Sequence, residues 1–219
     1  MNNKTTYSLN YRNSDDCIIR HTTTADIPRL KEIFAIARRF MAEAGNPNQW
    51  TEGYPSEELL QEDIDSGDSY VIVKGDRIVA TFVLRGGADP TYDIIYDGKW
   101  PNDKPYATIH RIASSGEATG IMHTALQYAL TLYDNIRIDT HRDNLVMQHL
   151  LADEGFSYCG AFLGGRRPPF GQRRCSSSGG LGFRTPPGGA PFERGPRRRC
   201  ARRNDPARQG HRRKGSEVL

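Results

Sequence analysis

The sequence has few cysteines, no long apolar run and no apolar leader, and each absence excludes a class of protein. Its four cysteines, Cys17, Cys159, Cys175 and Cys200, are scattered, with no CxxC spacing and no histidine at metal-ligand spacing. This pattern predicts neither a metal site nor a disulfide framework. No run approaches about 18 apolar residues, and the N-terminus is polar, so neither membrane insertion nor secretion is indicated. We therefore expect a cytoplasmic protein with no metal and no membrane partner.

Acidic residues are scarce in one part of the chain and abundant in the other. Residues 1–163 contain 15 Lys/Arg and 23 Asp/Glu, whereas residues 164–219 contain 15 Lys/Arg and 3 Asp/Glu. The second part also holds 11 of the 22 glycines and 7 of the 13 prolines. Such a composition buries too little apolar surface to offset the entropy of ordering, so we predict a disordered basic tail over 164–219.

Three origins of this tail remain open at this stage. It is a native low-complexity tail, a segment translated in a shifted reading frame, or a polyanion-binding arm whose arginines recognise nucleic acid. No aromatic RNA-binding module accompanies the arginines, so the nucleic-acid signal is weak. The domain boundaries that follow are a polar extension over 1–16, a folded domain over 17–163 and the tail over 164–219.

Hydrophobic periodicity divides residues 17–163 into alternating strands and helices. CIIRHTT predicts a strand, and Thr24 follows as the expected N-cap of a helix with Pro28 in its first turn. Ser56 is the expected N-cap of a second, short helix. SYVIVKGDRIVATFVL contains two β-branched runs joined by Gly75 and Asp76, which predicts a hairpin. Further along, YATIHRIA, IRIDT and FSYCGAF predict strands, and helices are expected near 121–132 and 143–154.

The stretch SSGEATGIM, residues 114–122, joins a strand to a helix through small residues. In such a connection free backbone N–H groups and the positive end of the helix dipole point at one place, which suits a phosphate. A tight structural turn explains the same residues, so the loop alone does not decide the matter.

The order of elements over about 17–162 resembles the GNAT family of acyl-CoA-dependent N-acetyltransferases. The matching pieces are IIRHTTTADIPRL, the long hairpin, IHRIASSGEATGI and NLVMQHLLADEGF, the last with Asn144, Gly155 and Phe156. The resemblance implies a mixed α/β (α+β) sandwich, with helices on both faces of a mostly antiparallel sheet that is splayed at its central strands. It also implies acetyl-CoA as cosubstrate and a primary amine of a small molecule or a protein as acceptor.

The resemblance also places the cosubstrate along one strand and one loop. Pantetheine would lie beside Ile112, Ala113 and Ser114, and the pyrophosphate would lie at Gly116, Glu117, Ala118, Thr119, Gly120, Ile121 and Met122. The family pattern has Gln or Arg where Glu117 stands and a small residue where Met122 stands. Leu151 stands where the family often has a proton-donating tyrosine. These departures motivate the alternative of a CoA-binding but catalytically silent relative.

Three residues are candidates for the chemistry. His110 is a candidate base because it titrates near neutrality and belongs to a central strand, although a packed histidine is an equally simple explanation. His141 follows the strand IRIDT, where active-site loops of α/β sheets lie. Asn144 is a candidate for orienting cosubstrate or water, or else a helix cap. We expect Arg111 to project to the sheet face opposite His110 and to pair with Asp139 or Glu43.

Aromatic residues in two connections are candidates for an acceptor wall or, equally, for loop packing: Trp50, Tyr54, Tyr92, Tyr96 and Trp100. Aspartates near the second connection would suit a cationic amine. The family fold closes with one more strand between IRIDT and FSYCGAF, and no later run predicts one. The last strand is therefore expected to be missing, to come from a partner chain, or to form by an unrecognised pairing of residues such as GGLGFRT, and a homodimer remains open.

Overall fold

A computed structural model describes residues 11–12, 17–163 and 172–177, and all of them fall in one unit, Met1–Leu181. A second unit, Gly182–Leu219, lies outside the described residues, as does most of the expected tail. The strands are β1 (Tyr11–Arg12), β2 (Cys17–His21), β3 (Ser69–Lys74), β4 (Arg77–Gly86), β5 (Ala107–Ser114), β6 (Ile136–His141), β7 (Ser157–Leu163) and β8 (Gln172–Ser177). The helices are α1 (Ile27–Glu43), α2 (Glu57–Asp65), α3 (Ile121–Leu132) and α4 (Leu145–Asp153).

The strands form one mixed sheet in the order β1-β2-β3-β4-β5-β6-β8-β7. Every neighbouring pair is antiparallel except β5 and β6, which run parallel. The predicted mixed, mostly antiparallel sheet is therefore confirmed. The predicted hairpin is also confirmed, because β3 and β4 meet at Gly75 and Asp76, and Gly75 takes the positive φ of 63° that such a turn needs.

Helix starts follow the expected chemistry, with one shift. The Ser56 hydroxyl accepts the N–H of Leu59 at 3.3 Å and caps α2, as predicted. The predicted cap at Thr24 is wrong: Thr23 precedes a short 3-10 turn, Thr24–Asp26, and Asp26 is the residue that precedes α1. The Thr23 N–H donates to the Asp26 carboxylate at 2.8 Å, which closes this extra turn. The spacing of Thr23 and Asp26 is that of a capping box, a local signal that the prediction at Thr24 overlooked.

The sheet carries a hydrophobic cluster on each face. Tyr70 and Ile72 pack with α3 and Leu151 of α4, whereas Val71, between them, packs with α1 and α2. Because side chains alternate along a strand, these are opposite faces of the sheet. The predicted arrangement of helices on both faces is confirmed.

One strand departs from the sequence analysis, which expected none after β7. Gln172–Ser177 form β8, which pairs with β6 on one side and β7 on the other, inside the stretch expected to be tail. A strand between two others gains backbone hydrogen bonds on both edges, and any sequence supplies those groups, so side-chain periodicity did not reveal it. The far edge of β7 is covered by the connection between β4 and β5, where the Ala161 N–H donates to the Tyr96 carbonyl at 2.7 Å.

In the part of the chain that the structure describes, none of the helices has both the length and the apolarity to cross a membrane.

Candidate active site

The central feature of the site is a cleft between β5 and β6. The two strands pair only at Ala107↔Ile136 and Thr108↔Arg137, although β5 continues to Ser114 and β6 to His141. Beyond Thr108, the β5 edge that faces β6 has no strand partner among the described residues. Exposed backbone N–H and C=O groups need partners, so this edge is able to pair with an extended ligand. Ile112, Ala113 and Ser114 lie on this part of β5.

The loop after β5 leads directly to an open helix N-terminus. Gly120 precedes α3 with φ of 70°, and no described side chain caps the helix. The first-turn N–H groups of a helix have no intrahelical partner, and the helix dipole adds positive potential there. Gly116 also takes a positive φ, 80°, and the Ser115 N–H donates to the Val79 carbonyl at 2.9 Å. These features fit an anion such as a pyrophosphate.

The two residues that depart from the family pattern are both accounted for. Met122 is buried in the cluster between α3 and the sheet, so its side chain lies away from the loop surface. Glu117 lies between two arginines, 2.7 Å from Arg29 and 2.8 Å from Arg77. A hydrogen bond from Ser115, together with both arginines, lowers the pKa of Glu117. The carboxylate is charged and paired with both arginines, and Arg29 also pairs with Glu32 at 2.8 Å.

His110 lies at the inner end of the cleft, between two carboxylates. Its Nε2 is 3.2 Å from Oδ2 of Asp89, and its Nδ1 is 4.0 Å from Oδ1 of Asp139 across the cleft. The Tyr92 hydroxyl donates to the same Asp139 oxygen at 2.8 Å. Nε2 is buried, and Asp89 is the carboxylate that lies against it.

Burial controls the charge of His110. The imidazole side chain is 17% exposed, and burial lowers its pKa because the charged ring loses hydration. Asp139 and Asp89 raise the pKa, and Arg111 and Arg85 lower it further, with a net effect below the ordinary value. The ring is therefore neutral at neutral pH and able to accept a proton.

The connection between β4 and β5 packs down beside this histidine through a stack of aromatic rings. Tyr92 stacks on Trp100 with ring centres 5.6 Å apart, and Tyr92 meets His110 edge-on at 6.2 Å. The Arg137 guanidinium lies between Trp100 and Tyr106, 3.9 and 3.7 Å from their ring centres. Trp100 is thus a packing residue of this connection and lies one ring away from His110. This position suits the wall of an acceptor pocket.

Arg111 differs from expectation in both its direction and its partner. The register of β4 and β5 passes from Thr81↔Ala113 to Val83↔His110, so β5 carries an extra residue there, which is a β-bulge. The bulge breaks the alternation of faces on which the prediction rested. The guanidinium pairs with Asp63 of α2 at Nε–Oδ2 3.0 Å, so the predicted partners, Asp139 and Glu43, are wrong.

Asn144 and His141 hold the turn between β6 and α4. The Asn144 side chain accepts the Met147 N–H at 3.1 Å and caps α4, which confirms the alternative of a helix cap. Its amide also donates to Gln49 in the α1–α2 linker at 2.8 Å. The Asp143 N–H donates to Nδ1 of His141 at 3.2 Å.

The other aromatic candidates fall into separate places. Trp50 packs against Phe34 and Tyr54, with ring centres 5.6 and 6.0 Å away, and Tyr54 reaches toward Arg111. Tyr96 is 46% exposed and is fixed by its backbone to β7. Trp50 also lines an open groove of about 710 Å³ on the outer side of α1. That groove is formed by α1 and its following linker, and none of the cleft residues of β5 or β6 lines it.

Sequence reasoning missed Asp63 and the role of Asp89, and it did not foresee the link to Gln49. Asp63 offered a signal, because it follows Leu60 by three residues and therefore falls on the buried stripe of α2. A carboxylate on such a stripe needs a partner. Among the described residues, no group of three or more His, Cys, Asp or Glu is arranged to hold a metal ion.

Comparison with known proteins identifies the same architecture in solved structures, whereas no family model and no curated protein sequence matches the chain. A GNAT-family acetyltransferase from Streptococcus agalactiae is 31% identical, with a TM-score of 0.66 over 74% of this chain and 94% of that one. A GNAT-family acetyltransferase from Listeria monocytogenes, 15% identical, gives a TM-score of 0.54 over 74% of this chain and 93% of that one.

A third solved structure carries the cosubstrate fragment. RimL, the α-N-acetyltransferase of ribosomal protein L7/L12, was solved in complex with coenzyme A. It is 14% identical, with a TM-score of 0.53 over 77% of this chain and 96% of that one. At this identity, as with the Listeria protein, the likeness shows the fold alone.

Proposed function

Because the chain belongs to the GNAT family of acetyltransferases, we propose that it transfers an acetyl group from acetyl-CoA to a primary amine. One observation carries this proposal: β5 and β6 pair at two positions only and then separate, beside the uncapped N-terminus of α3. A cleft with a free strand edge and an anion-binding end suits an extended thioester cosubstrate that ends in a pyrophosphate.

In this proposal the β5 edge binds the pantetheine arm. The backbone of Ile112, Ala113 and Ser114 supplies N–H and C=O groups that match the amides of that arm. The loop Gly116–Met122 then receives the pyrophosphate, with Gly120 allowing the backbone to turn into α3. Arg29 and Arg77 neutralise Glu117, so the glutamate places no unpaired negative charge beside this anion.

His110 is the proposed base. An amine that arrives as an ammonium first gives one proton to the base, which frees the lone pair that bonds to the thioester carbonyl carbon. As the carbon–sulfur bond breaks, the nitrogen releases its second proton to water. A neutral imidazole accepts the first proton, and the imidazolium so formed is stabilised by Asp89 and Asp139 on either side. The two carboxylates favour this step, because their attraction to the ring increases as the ring becomes positively charged.

The thiolate of coenzyme A is the leaving group, and its proton does not come from the helix position at which the family often has a tyrosine. Leu151 occupies that position and is buried in the hydrophobic cluster. A thiol has an ordinary pKa of about 8.5, so a thiolate departs far more readily than an alkoxide and takes its proton from water. The absence of an acid at Leu151 is therefore compatible with transfer.

The acceptor side carries negative charge, which suits an amine that arrives protonated. Asp89 and Asp139 flank His110, and the ring of Trp100 lies behind Tyr92. An ammonium group is attracted to such a site. We assign the acceptor to small or peptide-borne primary amines, bound between this wall and the linker that contains Tyr54.

Two measurements on the full chain test the proposal. Isothermal titration of acetyl-CoA is expected to show saturable binding at one site per chain, weakened by salt because the pyrophosphate is charged. Thiol release is then measured with a panel of monoamines, diamines and peptides with free N-termini. Release with one class and not with its N-acetylated form supports transfer. Absence of acetyl-CoA binding overturns the proposal, and binding without release across the panel indicates a silent relative.

A further inference from the structure

Arg111 is a long side chain in a backbone conformation that favours glycine. Its φ is 49°, and the one other non-glycine residue with positive φ among the described residues is Asp97. Left-handed backbone crowds the Cβ atom of an L-residue, so a β-strand relaxes out of it unless something holds it there. The position is part of the bulge in β5, between His110 and the edge Ile112–Ser114.

The bulge determines which way that edge presents itself. Phe82 of β4 stands opposite two residues of β5, because its neighbours pair with Ala113 and His110. Ala113 consequently packs with the α1–α2 cluster, while Ile112 packs with the α3 cluster. A one-residue slip in a strand exchanges the two faces, so loss of the bulge would misplace every residue between Ile112 and Ser114.

A carboxylate from another element holds this residue. Both oxygens of Asp63, in α2, contact the Arg111 guanidinium in a fork, with Nε to Oδ2 at 3.0 Å and Nη2 to Oδ1 the shorter contact. Arg85 of β4 adds a third contact to Oδ1 at 3.3 Å. The Asp63 side chain is 1% exposed and Arg111 is 13% exposed. A forked pair shielded from water is directional and strong, unlike an exposed ion pair.

We propose that Asp63 is a positioning residue for acetyl-CoA, which holds the β5 bulge through Arg111 and so keeps the cosubstrate edge correctly aimed. The inference rests on the proposed function. Asp63 does not touch the cleft, so it acts on the cosubstrate through the backbone of Arg111. The ion pair of Asp63 and Arg111 connects α2 to the cleft. It also explains why an aspartate lies on the apolar stripe of α2.

Substitution of Arg111 by glycine distinguishes the effect of the ion pair from the effect of the backbone conformation that it maintains. The double variant Asp63→Ala, Arg111→Gly removes both charges and leaves a residue that adopts positive φ freely. The matched double variant Asp63→Ala, Arg111→Ala removes the same charges and leaves a residue that resists it. Acetyl-CoA affinity is measured by titration for both, with unfolding by urea as the measure of stability.

The glycine variant is expected to bind acetyl-CoA within about threefold of the parent. The alanine variant is expected to bind about fivefold to thirtyfold more weakly. This ratio of dissociation constants corresponds to the free energy that an L-residue needs to adopt left-handed backbone. In steady-state assays the same loss is expected in KM for acetyl-CoA, with kcat at saturation changed less. Equal affinity of the two variants overturns the inference.

A second series applies if the buried alanines prevent folding. Asp63→Asn keeps the shape of the side chain and removes its charge, and it is expected to weaken acetyl-CoA binding. Adding Arg111→Gly to it is expected to restore binding, and failure to restore it counts against the inference. The parent protein serves as the discriminating control: no binding by the parent refutes the proposed function, whereas normal parent binding with no glycine rescue refutes only the role of Asp63.

Discussion

Replacing His110 with glutamine tests the proposed base most directly. Burial lowers the pKa of His110, and Asp139 and Asp89 only partly oppose this effect. With an ordinary histidine pKa near 6.5, at least about 90% of the rings are neutral at pH 7.5, and the lowering increases this fraction. Glutamine is polar and of similar size but cannot accept a proton, so the loss measured is that of the base.

A positioned base contributes about a hundredfold to ten-thousandfold to a rate, equivalent to about 3 to 5 kcal/mol of activation free energy. We expect His110→Gln to lower kcat by that range at pH 7.5 while acetyl-CoA affinity changes little. The matched control is His149→Gln, because His149 is an exposed histidine of α4. This control is expected to retain the kcat of the parent. A His110→Gln variant within tenfold of the parent would refute the assignment.

The pH profile gives an independent test with a defined sign. A base acts when unprotonated, so kcat of the parent should fall as the pH drops through the lowered pKa of His110, below about 6.5. Burial is the largest influence on that pKa, and Asp139 is the strongest influence that raises it. Asp139→Asn should therefore lower the pKa further and move the acid limb to lower pH. A limb that stays in place in this variant, or persists in His110→Gln, belongs to another group.

Three further predictions concern stability and the loop. Gly120→Ala forces alanine to φ of 70°, and it should lower the unfolding free energy by about 1 to 2 kcal/mol and weaken acetyl-CoA binding, measured by urea unfolding and titration; unchanged values would contradict the loop geometry. Arg137→Met removes a cation 3.9 Å from the Trp100 ring, and it should cost about 1 to 3 kcal/mol and change tryptophan emission. Burial raises the pKa of Asp26, but hydrogen bonds from Arg20 and Thr23 lower it overall. The charged carboxylate therefore stabilises the fold at pH values above the pKa that Asp26 has in the unfolded chain. Asp26→Asn should lower the free energy of unfolding at pH 7 and change it little at pH 3.

Local chemistry explains why parts of this fold were predictable. A turn such as Gly75–Asp76 or a cap such as Ser56 depends on residues two or three positions apart, and the sequence contains all of them. His110 was also visible, because it stands inside a strand of strong β-branched pattern. Its function depends on partners that are far away in the chain, since Asp89 lies 21 positions before it and Asp139 lies 29 after it. The hydrophobic periodicity of the sequence does not reveal contacts between residues so far apart.

The bulge shows a different limit of sequence analysis. Strict alternation places His110 and Arg111 on opposite faces, and that inference was wrong because β5 carries one extra residue. Arginine is not a residue that signals positive φ, so the sequence held no local warning. The ion pair with Asp63 supplies at long range what glycine would have supplied locally. The contact with Asp63, which is distant in sequence, thus holds a backbone conformation that local prediction expects at glycine.

The contacts of Glu117 change the interpretation of this residue. Considered alone, a glutamate in a pyrophosphate loop repels the ligand and favours a silent relative. In the structure its carboxylate is shared by Arg29 and Arg77 and accepts a hydrogen bond from Ser115. It therefore anchors the loop to Arg29 of α1 and Arg77 of β4, which neutralise its negative charge. An arginine in its place, which the family pattern favours, would bring three cations together and remove that anchor. The loop is better explained as an anion site with a different internal support than as a site that has lost its function.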